Sequence, residues 1–249
     1  MVRPVTELDR LVPGATEKIG AMGSAFYFAE ATLARGKELG LNGWRFYILG
    51  RGGVLGDVDP AVIVSAFGYF APEAIAKQWD AARAIVDPRT AGREYFECCA
   101  AFGRQKFAGL DNLDAFCDAA EAVNDAVDPA GLALYAGISA EPLADDRPAR
   151  AMQLVTVLRE FRGSAHLAAV ITQLLEPKIA HFMRRPDFFA AFGYDPEKPP
   201  EVTDEHRAKL AAADELTDRM VAPAYSVLGT SGADALINGL EAMEKALAA

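Results

Sequence analysis

Four times between residues 59 and 129 the chain sets a proline immediately behind an aspartate or alanine, at the head of an apolar segment with helical spacing. These are Asp59-Pro60, Ala71-Pro72, Asp87-Pro88 and Asp128-Pro129. Proline has no N–H to lose at the first helical position and carries a φ already suited to it, while an aspartate before it can cap the exposed N–H groups. Starts repeated at such short intervals describe helices joined by short connections. No alternation of strand and helix appears that would build a parallel sheet. The fold class expected is therefore all-α, a multi-helix bundle.

The periodicity predicts a first helix from near Thr16 to Leu39, stopped by Gly40. The segment Trp44 to Leu49 is open between strand and helix, since its aromatics suit the first and the spacing of Trp44, Tyr47, Ile48 and Arg51 suits the second. Asp87-Pro88 leads into Arg93–Phe107, and Asp111 or Asn112 caps a helix reaching Val127. Gly137 to Pro148 is the clearest break, dividing an aromatic-rich N-terminal helical region (1–137) from a C-terminal helical region (149–249) across a linker (138–148). A long helix is expected from Ala149 to Leu174, with shorter ones from Pro177 to Met183 and from Pro186 to Gly193. Thr203 starts a helix that Pro223 interrupts, and Ser231–Leu247 forms the last.

The composition excludes several classes. Of 249 residues, 51% are hydrophobic, so a core can form and disorder is excluded. The net charge of −10 disfavours nucleic acid and anionic lipid as partners. No apolar run approaches the ~18–20 residues of a membrane span, and Met1-Val2-Arg3-Pro4 does not begin a signal core. With three cysteines and no Cys-x-x-Cys, the expected location is the reducing cytoplasm. No His-x-x-x-His, Glu-x-x-His or Cys/His set occurs, so neither a metal nor another cofactor is expected. Gly-x-Ser-x-Gly is absent as well. In Gly50-Arg51-Gly52-Gly53-Val54-Leu55-Gly56 the third glycine falls one residue late for a dinucleotide loop, and a tight turn between helices is the expectation.

One stretch concentrates chemistry: Leu158-Arg159-Glu160-Phe161-Arg162-Gly163-Ser164-Ala165-His166. At ~100° per residue, Arg159, Arg162 and His166 share an arc of roughly 60°, beside an apolar stripe of Leu154, Val157, Leu158, Phe161, Ala165 and Ala168. Arginine suits a carboxylate or phosphate, and histidine moves protons near neutral pH. Gly163, costly within a helix, leaves room for a ligand. The catalytic candidates are His166, Glu30 and Arg162, with Glu30 as a second acid/base or an orienting carboxylate. The ligand-binding candidates are Arg159, Arg51, Tyr27, Tyr47, Trp44 and Tyr69. The competing interpretation is a set of interhelical ion pairs with Glu30, Glu160 or Glu176 as partners. His181 is expected in a solvated basic cluster and His206 on a polar face.

Several of these segments carry a resemblance. Phe26-Tyr27-Phe28-Ala29-Glu30, Gly40-Leu41-Asn42-Gly43-Trp44 through Gly50-Arg51 and Gly56, the Leu158–His166 stretch, and Thr217-Asp218-Arg219 through Tyr225 resemble an actinobacterial family labelled helix-turn-helix. The resemblance implies an all-α body followed by a winged-helix-like part. This chain departs from it between Phe192 and Asp218, a short interval broken by Pro196, Pro199 and Pro200 and loaded with Asp195, Glu197, Glu201, Asp204 and Glu205. A DNA-reading helix needs basic and amide side chains instead, so the winged-helix-like part is expected to be degenerate.

The functional expectation is a helical protein binding a small molecule that is apolar or aromatic and bears an anionic or carbonyl group. It could act as a metal- and nucleotide-independent isomerase, cyclase or dehydratase of secondary metabolism. The alternatives are a ligand-responsive winged-helix regulator and a structural partner protein, with a homodimer as the expected assembly.

Overall fold

The computed structural model describes residues 8–111 and 113–248, which form twelve α-helices and two 3-10 turns and no strand. Met1–Pro4 and the alternative cap Asn112 lie outside the described residues. The all-α bundle is found as expected, and the described C-terminal part contains no β-hairpin that would serve as a wing.

The segment expected as one first helix is two. Helix α1 (Leu8–Met22) ends before Gly23, and α2 (Glu30–Glu38) follows a tight turn. Gly23 faces the Arg159 side chain so closely that an added Cβ would lie 2.8 Å from it. The chain bends there, and Phe26 and Tyr27 are buried within the bend. Gly40, at φ +79°, closes α2 as expected. Residues Trp44–Leu49 resolve as helix, within α3 (Gly43–Gly52), where the Asn42 side chain accepts from the Arg45 N–H at 2.9 Å.

The glycine run is an interhelical turn only in its second half, from Gly53 to Gly56, where Gly56 takes φ +86°. Gly50 and Gly52 are the last turn of α3, and Gly53–Leu55 continues as a 3-10 turn. Its glycines bring backbones together: Gly50 packs on the Tyr95 ring, and Gly53 on the Pro88 carbonyl. The proline starts hold in α4 (Pro60–Phe67), α5 (Pro72–Arg83) and α6 (Pro88–Phe107), whereas Asp128-Pro129 lies in the connection before the next helix starts at Ala133. Helices α7 (Leu113–Asp125) and α8 (Ala133–Ser139) follow.

Helix α9 (Arg147–Thr172) is the axis of the bundle and packs on α1, α6, α7, α8 and α11 (Asp204–Tyr225). From Ala151 to Leu158 every residue is buried, so this stretch has no apolar stripe but is enclosed on all sides. Partly open polar positions begin at Arg159 and continue at Arg162, Gly163 and His166. Beyond α9, α10 (Pro177–Arg184) is as expected, whereas the Pro186 segment makes one 3-10 turn, Pro186–Phe188, and no helix to Gly193. Pro223 does not interrupt α11. It falls in the last turn, where the missing N–H removes a single bond. Helix α12 (Thr230–Ala248) packs on α1 and α7. One apolar core runs from Val12 to Met243 and takes in residues from both sides of the 138–148 segment.

Candidate functional site

A cavity of about 470 Å³ lies between α3, the second half of α9 and α10, roofed by the connection from α4 to α5 and by the turn after α10. That volume is within the range of small-molecule sites. Its wall is rich in aromatic side chains, among them Tyr27, Trp44, Tyr47, Phe67, Tyr69 and Phe70. Its rim carries Phe28 and Phe188, which are 44% and 49% exposed.

One wall is a closed ionic network. Arg51, in the last turn of α3, donates from Nε to Glu160 Oε1 at 2.8 Å and from Nη2 to Oε2 at 2.7 Å. Its Nη1 donates to the Tyr47 hydroxyl at 2.9 Å. Arg159 donates to Glu160 Oε1 at 3.0 Å and to the Tyr27 hydroxyl at 2.9 Å, and Tyr27 donates onward to Glu160 at 2.9 Å. Glu160 is 1% exposed. Burial by itself raises a carboxylate's pKa, but the charge and fork of Arg51, with Arg159 and Tyr27, reverse this and hold Glu160 at about 2. Two guanidinium groups around one carboxylate leave this wall positive.

The opposite wall joins α9 to α11. Arg162 donates to Asp218 Oδ1 at 3.2 Å. His166 Nδ1 is 3.0 Å from the Thr217 hydroxyl and 3.7 Å from Asp214, which Arg184 also engages. The Tyr69 ring lies roughly parallel to His166, with centroids 6.3 Å apart. His181 is buried, not solvated, and stacks on Phe192 at 3.8 Å. Phe192 in turn stacks on Phe70 at 3.9 Å. Four buried polar atoms of cavity-lining residues have no hydrogen-bond partner among the described residues: Tyr69 Oη, Arg159 Nε, Arg162 Nε and His181 Nε2.

Of the sequence candidates, Arg51, Arg159, Arg162, His166, Tyr27, Trp44, Tyr47 and Tyr69 all line this cavity. Glu30 does not. It opens α2, exposed to solvent and away from the cavity, because the bend at Gly23 turns the chain there. Glu160 is the carboxylate inside. The arc of three is also divided, with Arg159 facing α3 and the α1–α2 bend while Arg162 and His166 face α11. Sequence reasoning missed the placement of His181, Arg184, Asp214, Thr217 and Asp218. The 3-residue steps from Asp214 to Thr217 and from His181 to Arg184 were the available signal. His206 sits in a capping box with Thr203, whose N–H donates to His206 Nδ1 at 3.3 Å.

The helix-turn-helix family model matches residues 13–249, nearly the whole chain and every element of the cavity. The chain belongs to the helix-turn-helix family. No curated protein and no solved structure matches it. In this family member no described helix is long and apolar enough to cross a membrane. Nor does any group of three or more His, Cys, Asp or Glu side chains converge among the described residues.

The buried histidines of this helix-turn-helix protein set an acid limit. Burial lowers both His166 and His181 from the ordinary 6.5 to about 4. Between those values the unfolded chain binds protons that the folded protein does not. The stability from keeping the rings neutral is therefore complete above pH 6.5 and is lost as pH falls toward 4. At pH 5 the loss is on the order of 2 kcal/mol for each ring. The melting temperature should drop between pH 7.5 and 5.0, and His181→Gln should make that drop shallower. An equal drop in wild type and variant would show that His181 is solvated in solution. Glu160 contributes only at lower pH, between about 4.5 and about 2.

Proposed function

We propose that this protein binds an anionic small molecule with an aromatic or apolar body in the α3–α9–α10 cavity. One observation carries the reading. Five arginines and a single glutamate line an aromatic-rich cavity, in a chain whose net charge is −10. An interior basic enough to oppose the sign of the whole chain is suited to an anion. Unpaired buried groups, each costing about 1–3 kcal/mol, supply donors that a bound molecule can engage. In this reading Arg162 holds the anionic or carbonyl group, the Tyr47, Tyr69 and Trp44 rings pack on the body, and Arg51 and Arg159 keep the wall positive. His166 is the group that can take up a proton, as an isomerisation, cyclisation or dehydration would need.

The test is titration with 8-anilinonaphthalene-1-sulfonate, an aromatic anion whose fluorescence rises on burial. Saturable one-to-one binding is expected, weakened about tenfold or more by Arg162→Met. Absence of a saturable site, or equal binding by the variant, would count against the reading. Membership of the helix-turn-helix family favours a second reading, a ligand-responsive regulator. It requires a gel shift with upstream DNA at low salt that weakens as salt rises, and absence of a shift at low salt removes it.

A further inference from the structure

We infer that Thr217 fixes His166 as the tautomer with its proton on Nδ1, leaving Nε2 an open acceptor, and that the ligand carries, on the same body as its anionic group, a hydroxyl to donate to it. The inference rests on the cavity reading for the ligand, but not for the imidazole.

The geometry assigns the proton. Thr217 is fully buried on α11, and its hydroxyl donates to the Ala213 carbonyl at 2.6 Å. A hydroxyl has one proton. With that proton committed, Thr217 Oγ can only accept from His166 Nδ1, 3.0 Å away, so Nδ1 bears the hydrogen. In a neutral ring the other nitrogen is then bare. Nε2 makes no hydrogen bond with the described residues, on a ring that lines the cavity.

The groups around the ring keep it neutral. Asp214, from α11, would draw a proton onto it, but Arg184 of α10 already engages that carboxylate. Arg162, one turn earlier on α9, pairs with Asp218 and adds positive charge nearby, and Tyr69 contributes an uncharged ring. A bare, uncharged imidazole nitrogen accepts hydrogen bonds and cannot hold an anion. The anion goes to Arg162, and a donor must face Nε2. A molecule with a hydroxyl and an acidic group on one aromatic body meets both. Thr217 is a positioning residue, since its hydroxyl acts through His166.

Imidazole ¹⁵N NMR of the full chain at pH 7.5, with His166 assigned by its loss in His166→Gln, tests the first half. Nδ1 protonated and Nε2 bare is expected in wild type and in Thr217→Ser, with mixed tautomers in Thr217→Val. A proton on Nε2 in wild type, or the pure Nδ1–H form in Thr217→Val, overturns the role of Thr217. Displacement of 8-anilinonaphthalene-1-sulfonate tests the second half. 4-Hydroxynaphthalene-1-sulfonate should bind about tenfold tighter than naphthalene-1-sulfonate in wild type and Thr217→Ser, and the preference should shrink in Thr217→Val. Equal affinities in wild type overturn the hydroxyl. Failure of all three arenesulfonates to bind overturns the cavity reading together with the ligand half, and the NMR spectrum judges the tautomer independently.

Discussion

Glu160→Leu is expected to destabilise the protein by about 3–5 kcal/mol, because it leaves the Arg51 and Arg159 guanidinium groups facing each other in the cavity wall with no buried counter-charge. Removing one member of a buried ionic group costs more than removing all of it. The triple variant Glu160→Leu, Arg51→Met, Arg159→Met should therefore recover a large part of the loss, as apolar side chains of similar size fill the wall. Urea unfolding midpoints with an unchanged denaturant slope would measure both. A loss below about 1 kcal/mol in the single variant is the result for a solvated surface pair, and it would contradict the closed network. The triple variant also separates fold from function. Recovered stability with lost arenesulfonate binding would place the network in ligand binding, and retained binding would place it in the scaffold.

Gly53→Val is expected to cost about 3 kcal/mol or more, the upper end for forcing atoms into a packed interior. A Cβ at Gly53 would run into the Pro88 carbonyl and come within 3.0 Å of the Gly92 backbone. These neighbours are backbone at the start of α6, so no rotamer change relieves the overlap. The 3-10 turn would have to move, and with it the end of α3 that aims Arg51. Thermal melts and arenesulfonate binding should both suffer. Gly163→Ala is the contrasting case. No atom lies within 4 Å of the position its Cβ would take, and alanine is the better helix former by about 1 kcal/mol. That substitution should stabilise the protein by up to that amount. Equal effects at the two glycines would contradict the close approach of α3 to α6.

Much of the helix pattern was readable because proline and aspartate act locally. Asp59-Pro60 and Asp87-Pro88 need only their own neighbours to start a helix, and both do so. The break at Gly23 was not readable, since a glycine bounded by helical residues is tolerated unless something distant presses on it, here Arg159. Pro223 misled for the opposite reason, as its cost depends on how many turns follow it. In the cavity, the side-chain types around Arg159, Arg162 and His166 were legible from one helix face. Their partners were not. Arg51 and Glu160 are 109 positions apart and His166 and Thr217 are 51, and no spacing rule reaches across such gaps. Sequence alone does not tell Glu30 from Glu160 as the carboxylate of the cavity, because exposure is a property of the folded chain.

The enclosure of part of α9 on all sides has a consequence for motion. An amide between Ala151 and Leu158 can exchange with solvent only when the bundle as a whole opens, so this stretch should be among the last to show hydrogen exchange. The cavity is built on the following half of the same helix, which this enclosed stretch anchors. Ligand traffic must be carried by the opposite border, where Phe28 and Phe188 stand half in water on short turns. Changes at that border would alter how fast a molecule enters and leaves, with little effect on the arginines that hold it.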